Sequence, residues 1–78
     1  MTRVVVTVMP RDGVLDPQGQ AVQGALGRLG FDGIRDVRLG RRIEVEIDGP
    51  DPLGEARQMC ERLLANPLIE DFTVAIED

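Results

Sequence analysis

The sequence contains no histidine, lysine, serine, tyrosine or tryptophan, and its single cysteine is Cys60. General acid/base and nucleophilic catalysis rely mostly on these side chains, because they exchange protons near neutral pH or become nucleophiles beside a base. Arginine, the acidic residues, three threonines and Cys60 are what remains for such chemistry. The sequence therefore favours a binding or assembly component over an enzyme that works alone.

The cysteine content also bears on metals and on the cellular compartment. One cysteine cannot form an internal disulfide, and a zinc site needs several Cys or His residues. We therefore predict no metal and no cofactor on this chain, and a reducing, cytoplasmic location. The apolar run at residues 4–9 is too short for a signal-peptide core or a membrane span, so we also predict no membrane association.

Aromatic residues make up 3% of the sequence, and the net charge is -5 at pH 7. Proteins that bind nucleic acids usually present a basic face, and those that bind single strands add aromatic side chains for stacking. Phe31 and Phe72 are the sole aromatic residues, so we predict no nucleic-acid partner. A chain of 78 residues forms one domain of modest stability, to which burial against a partner adds substantially.

The first half of the sequence predicts a strand and a helix. Residues 3–9 are β-branched or apolar at both alternating sets of positions, which is typical of a central strand covered on two faces. Asp16 and Pro17 predict a helix start, because the carboxylate accepts early backbone N–H groups and proline loses only an orphaned one. Gly30 predicts the helix end. The apolar face of this helix consists of Val22, Ala25, Leu26 and Leu29.

The second half predicts two more strands, a helix and a last strand. Residues 34–39 and 42–48 predict a hairpin, with Gly40 and Arg41 as a two-residue type II′ turn. A second Asp-Pro pair, at residues 51–52, predicts another helix start, and Asn66 with Pro67 predicts its end. Residues 69–76 predict the closing strand.

The resulting βαββαβ order predicts an α+β, ferredoxin-like fold in which residues 1–78 form a single domain. This fold has a four-stranded antiparallel sheet with two helices on one face. The other face has no helix to cover it, so we predict that it is buried between subunits of a homo-oligomer. The residues predicted on this face are Val5, Thr7, Met9, Thr73 and Ala75.

Several residues invite a functional interpretation and also have a structural one. Cys60 lies on the apolar face of the second helix with no base to activate it, so we predict core packing. Asp16 is explained as a helix cap rather than a catalytic carboxylate. A group of hairpin arginines either protects a sheet edge or docks an acidic partner or a phosphate. This group consists of Arg35, Arg38, Arg41 and Arg42.

Two motifs point to a known family. The stretch GVLDPQG at residues 13–19 opens the first helix, and LLANPLIE at residues 63–70 closes the second. Together with VRLG at residues 37–40, they resemble the PurS family of small subunits of phosphoribosylformylglycinamidine synthase. The similarity covers essentially the whole chain. Arg11 and Arg41 stand where many family members are expected to have lysine, which keeps the charge but changes the donor geometry.

The resemblance implies a non-catalytic subunit of an ATP- and glutamine-dependent ligase of de novo purine biosynthesis. It implies a homodimer or a dimer of dimers that bridges a glutaminase subunit and a larger synthetase subunit and supports ammonia transfer between them. ATP, magnesium and glutamine are then expected to be used by the complex, with none bound to this chain. The family motifs place the expected partner-facing residues at Gly13, Leu15, Asp16, Pro17, Gly19, Arg38, Gly40 and Arg41.

The predicted fold is compatible with two other functions. ACT-like regulatory modules share the ferredoxin-like order and bind amino acids at subunit interfaces, but fold analogy alone supports that assignment. An acylphosphatase-like enzyme needs an arginine and an asparagine that converge on phosphate, whereas Asn66 already has a local role at a helix end. An ACT-like regulator is therefore the alternative function.

Overall fold

A computed structural model describes residues 1–77 and contains three strands, two α-helices and one π-helical turn. In chain order these are β1 (Thr2–Pro10), α1 (Pro17–Arg28), β2 (Arg41–Ile47), α2 (Pro52–Met59), the π turn (Cys60–Leu64) and β3 (Glu70–Glu77). The strands form an antiparallel sheet in the order β2-β1-β3. Neither α-helix within residues 1–77 is long and apolar enough to cross a membrane.

Strand β1 is the central strand, as its sequence predicts. Val6 pairs with Ile43 of β2 on one side and with Val74 of β3 on the other. Because side chains alternate between faces along a strand, Val4, Val6 and Val8 all point to the same face. These three valines have no exposed surface, and they form the centre of the core.

Helix α2 and the π turn supply the other side of this core. Helix α2 contacts β1 and β3, and the fully buried side chains on this side of the core are Ala56 of α2 and Cys60 of the π turn. The Asp51 carboxylate accepts a hydrogen bond of 3.1 Å from the backbone N–H of Gly54, so the predicted cap is confirmed. The prediction of core packing for Cys60 is also confirmed. We call the sheet, α2 and the π turn the sheet lobe.

Helix α1 has the predicted limits but lies away from the sheet. Its end is a Schellman motif: Gly30 has a φ of 99°, and the Phe31 N–H donates to the Leu26 carbonyl at 3.1 Å. The helix makes no extensive contact with the sheet or with α2. The chain is consequently elongated, with a radius of gyration of 15.7 Å and extents of 50 × 27 × 14 Å. A compact chain of this length has a radius of gyration of about 12 Å.

The predicted four-stranded ferredoxin-like sheet is not formed within one chain. Residues 34–40, which we call the strap, form no regular secondary structure and pair with no strand among residues 1–77. Gly40 lacks the positive φ that the predicted type II′ turn requires. The backbone of the strap instead bonds to helix α1: the Ile34 carbonyl accepts a hydrogen bond from the Gln23 side chain at 3.1 Å. Helix α1 and the strap, residues 17–40, together form what we call the arm.

Candidate partner-binding junction

The predicted partner-facing residues converge where the arm meets the sheet lobe. At this junction β1 ends, α1 begins, and the strap runs into β2. Two open grooves lie here, with volumes of about 380 and 370 Å³. Leu15 and Asp16 line both grooves. The first groove is also lined by Gly13 and Arg38, and the second by Pro17, Gly40 and Arg41.

Asp16 connects two segments of the junction. One carboxylate oxygen accepts a hydrogen bond of 3.0 Å from the Gly19 N–H, and the other accepts one of 2.8 Å from the Leu39 N–H. These two hydrogen bonds, aided by the nearby charge of Arg38, lower the pKa of Asp16. The predicted helix cap is confirmed. No sequence pattern predicts the bond to Leu39, which fastens the strap to the start of α1.

Gly19 is buried in this contact. A Cβ atom at Gly19 would overlap the carbonyl oxygen of Val37 in the strap. The position therefore requires glycine, although glycine weakens a helix by about 0.5–1 kcal/mol relative to alanine. The close approach of the backbones explains why helix α1 tolerates a glycine in its first turn.

The loop before α1 depends on Gly13. The Val14 N–H donates to the Arg11 carbonyl at 3.2 Å, and Gly13 between them has a φ of 81°. A turn with positive φ at its third residue favours glycine. The loop presents Leu15, which is 68% exposed, between the two grooves. Arg38 lies 3.1 Å from the Asp12 carboxylate and so links the strap to the same loop.

Arg41 is held by contacts within the chain. Its guanidinium donates two hydrogen bonds to the Glu70 carboxylate, at 3.0 and 3.1 Å, and a third of 2.8 Å to the Leu64 carbonyl. The Glu70 carboxylate also accepts a bond of 2.8 Å from the Asn66 N–H, and its side chain is only 15% exposed. The Arg41 bonds, and then the Asn66 bond, lower the pKa of Glu70. The sequence identified the charge of Arg41 but not its partner.

The helix-free face of the sheet is more charged than the sequence suggested. Val5 pairs with Ala75, and Thr7 pairs with Thr73, so the structure brings these predicted residues together with Met9 on the face away from α2. Strand β2 adds Arg42, Glu44 and Glu46 to that face. Ion pairs border the apolar strip, with Arg3–Glu46 at 2.9 Å and Arg42–Glu77 at 2.7 Å. The face predicted from the sequence comprised residues of β1 and β3 only, without these charged residues of β2.

Two observations on the described residues bear on reactive groups and metal binding. Burial raises the pKa of the Cys60 thiol, so a thiolate is disfavoured. Within residues 1–77, no group of three or more cysteine or acidic residues is placed to hold a metal ion. The junction thus offers surface shape, backbone groups and paired charges, which are the elements of a protein-binding site.

Comparison with known proteins identifies the family. The family model "PurS: Phosphoribosylformylglycinamidine (FGAM) synthase" matches residues 3–78. The chain belongs to the PurS family. PurS proteins are subunits of phosphoribosylformylglycinamidine synthase, a ligase of purine biosynthesis.

The similarity spans the chain in sequence and in structure. The PurS subunit of Mycobacterium leprae is 56% identical over 77 residues, which cover 99% of this chain and 98% of that protein. A crystal structure of Bacillus subtilis PurS has a TM-score of 0.91 and 41% identity, with both chains covered completely. A chain in a structure of PurLQS from Thermotoga maritima has a TM-score of 0.74 and 26% identity, with 97% of this chain and 96% of that chain covered.

Proposed function

We propose that this chain is the non-catalytic adaptor of phosphoribosylformylglycinamidine synthase. As a homodimer, or a dimer of dimers, it joins a glutaminase subunit to a synthetase subunit and supports ammonia transfer for converting formylglycinamide ribonucleotide into formylglycinamidine ribonucleotide. The observation that carries this proposal is the arm, which leaves the sheet lobe and exposes apolar surface that only another chain would cover. Family membership supports this function over an ACT-like regulator.

The exposed surface of the arm supports self-association. Leu29 is 74% exposed and Phe31 57% exposed, although both belong to the apolar face of α1 or directly follow it. Helices of globular proteins bury such a face. The partly exposed Val22 and Ile34 extend this apolar surface along the arm. Burial of this surface would add stability to a chain that is small and elongated.

The strap and β2 suggest how a second copy fits. Strand β2 lies at an edge of the sheet, and the strap, whose sequence predicted a strand, has no strand partner among residues 1–77. If the strap of one chain pairs with β2 of its partner, each sheet gains the fourth strand of the ferredoxin-like fold. The predicted hairpin is then made between chains, with Gly40 as the hinge.

The dimer is tested by substitution at the arm. We expect Leu29→Asp to raise the dimer dissociation constant by about a hundredfold, because two charged side chains would enter the symmetric interface. Leu68→Asp is the matched control, since Leu68 is 84% exposed but lies outside the arm, between the π turn and β3. Sedimentation equilibrium gives the dissociation constants. A wild-type chain that is monomeric at micromolar concentration would contradict the dimer.

The bridging role explains why catalytic side chains are dispensable. In this proposal the partner subunits use ATP, magnesium and glutamine in the cytoplasm, and the adaptor aligns their two active sites. Alignment matters because ammonia released into water is diluted and mostly protonated. A bridging surface needs shape complementarity and a few anchors rather than reactive groups.

Reconstitution with the glutaminase and synthetase subunits of the same organism tests this role. We expect glutamine-dependent turnover to require the chain, and turnover driven by added ammonium salt to proceed largely without it. Omission of the chain is the control for each nitrogen source. Equal glutamine-dependent rates with and without the chain would refute the adaptor function.

A further inference from the structure

We propose that the turn formed by residues 64–70 holds both ends of the arm, through Arg11 and Arg41, and so sets the direction in which the arm leaves the sheet lobe. Arg11 and Arg41 are then positioning residues for partner binding. This inference rests on the proposed adaptor function, because the direction of the arm decides where the docking surfaces lie.

The segment that leads into the arm contains Arg11, and the segment that follows it begins at Arg41. Both segments are bonded to this turn. On the entering side, the Arg11 N–H donates to the Ile69 carbonyl at 2.8 Å, and the Arg11 guanidinium donates to the Pro67 carbonyl at 2.7 Å. On the leaving side, the Arg41 guanidinium bonds the Leu64 carbonyl and the Glu70 carboxylate. One short turn therefore anchors both connections.

These contacts also complete the end of the π turn. A helix end leaves carbonyl groups without partners inside the helix, and such groups need other donors. The Ala65 N–H donates a hydrogen bond to the Cys60 carbonyl at 3.0 Å, and the Arg41 guanidinium donates one to the Leu64 carbonyl. The Asn66 N–H, just after the helix end, donates a hydrogen bond to the Glu70 carboxylate. Arg41 and Glu70 thus hold the backbone of the turn as well as each other.

The Arg41–Glu70 pair differs from an ordinary surface ion pair. Exposed pairs contribute little, because water screens them and both side chains lose freedom. Here two parallel N–H···O bonds fix the guanidinium plane, and the Glu70 side chain is 15% exposed, although that of Arg41 is 52% exposed. Directly before Arg41, a Cβ atom at Gly40 would overlap the Val8 carbonyl oxygen, so the end of the strap is tightly seated on β1.

The test uses Arg11→Ala, Arg41→Ala and the double variant in the reconstituted synthase. We expect each single variant to raise the concentration of chain that gives half-maximal glutamine-dependent turnover by about tenfold, and the double variant to raise it further. The turnover rate at saturating chain should stay within about twofold of wild type, because these residues position a surface and touch no substrate. Arg11→Lys and Arg41→Lys should recover part of the loss, since lysine keeps one charged donor.

Arg3→Ala is the matched control, because Arg3 also forms an ion pair, at the far end of β1. The inference is refuted if the double variant and Arg3→Ala have equal half-maximal concentrations, or if only the saturated rate falls. Circular dichroism verifies that each variant is folded, and the lysine variants supply the comparison if an alanine variant is not.

A readout on the free chain separates this inference from the adaptor function. Trypsin cleavage after Arg35, in the exposed strap, reports opening of the arm. We expect the double variant to be cleaved about tenfold faster than Arg3→Ala, because loss of the Arg11 and Arg41 side-chain bonds to the turn raises the open population, even though the Arg11 N–H bond to Ile69 remains. Wild-type chain could fail to support glutamine-dependent turnover while this difference in cleavage holds. That result would refute the adaptor function but would still support the role of residues 64–70 in holding the arm. Equal cleavage rates would overturn the anchoring turn.

Discussion

The sheet lobe buries a core of apolar residues within one chain, although some of its apolar side chains, such as Leu63 at 83%, are exposed, whereas the arm leaves most of its apolar residues exposed. Val4, Val6, Val8 and Cys60 of the lobe have no exposed surface. Among residues 17–40, which make up the arm, Gly19 alone is buried. Both regions contain an amphipathic helix opened by an Asp-Pro pair, and both helices have the predicted cap. An apolar face on a helix thus indicates that it will be covered but not by which chain.

The two regions also differ in what holds them together. The lobe depends on side-chain packing between β1 and α2, which is insensitive to pH and scales with buried area. The arm depends on a few polar contacts, among them the Asp16 bonds to Gly19 and Leu39. Substitutions in the lobe should therefore change global stability, and substitutions in the arm should change local order and assembly.

The largest expected effect is in the lobe. Val6→Ala should lower the free energy of unfolding by roughly 2 kcal/mol, because it removes two methyl groups from a fully packed site. Urea unfolding followed by circular dichroism measures the loss. Val5→Ala, on the other face of the same strand, is the control and should cost clearly less. An equal cost at both positions would mean that the outer face is buried in the assembly, which would sharpen the comparison between the two regions.

An intermediate effect is expected in the arm from Gly19→Ala. The added methyl group would overlap the Val37 carbonyl oxygen, so the strap should detach from α1. We expect amide hydrogen exchange in residues 34–40 to become about tenfold faster, while the core strands keep their protection.

Gly27→Ala is the control for that experiment, because nothing lies within 4 Å of a Cβ atom there. Alanine at Gly27 should stabilise the helix by about 0.5–1 kcal/mol. If Gly19→Ala behaved like Gly27→Ala, the close approach between Gly19 and Val37 would not be what holds the strap on α1.

The smallest expected effect is the dependence of stability on pH. Asp16 and Glu70 have pKa values lowered by hydrogen bonds made in the folded state. A lowered pKa in the folded state stabilises the protein above the unfolded pKa, which is about 4, and this stabilisation is lost as the pH falls through the folded value. The melting temperature should therefore decline below about pH 4.

The variants Asp16→Asn and Glu70→Gln locate the source of this decline. At neutral pH each variant should melt below wild type, and the differences should shrink as the pH falls below about 4, where the unfolded state takes up protons, and then through the lowered pKa values of the folded carboxylates. Thermal unfolding at several pH values measures both trends. Differences that stay constant down to pH 3 would assign the acid sensitivity to other carboxylates.

Much of the fold follows from local sequence signals. The β-branched run of β1, the Asp-Pro helix starts and Gly30 at the helix end act through neighbouring residues, and the structure confirms each of them. The motifs at residues 13–19 and 63–70 indicated the PurS family, and the match to the family model confirms it. The unpaired state of the strap was not predictable from the sequence. Its pattern is typical of a strand, but a strand forms only where a neighbouring strand is available for pairing.

The sequence alone determined the central strand, the start of each helix and the family, because these depend on residue type and short-range spacing, whereas the change from α-helix to π turn at Cys60 was not predicted. Only the tertiary structure decided that the strap lies beside α1 and that Arg41 meets Glu70, 29 residues away. It also decided that the helix-free face carries ion pairs. Such contacts join distant segments, and their geometry depends on how the arm leaves the sheet, which no local pattern encodes.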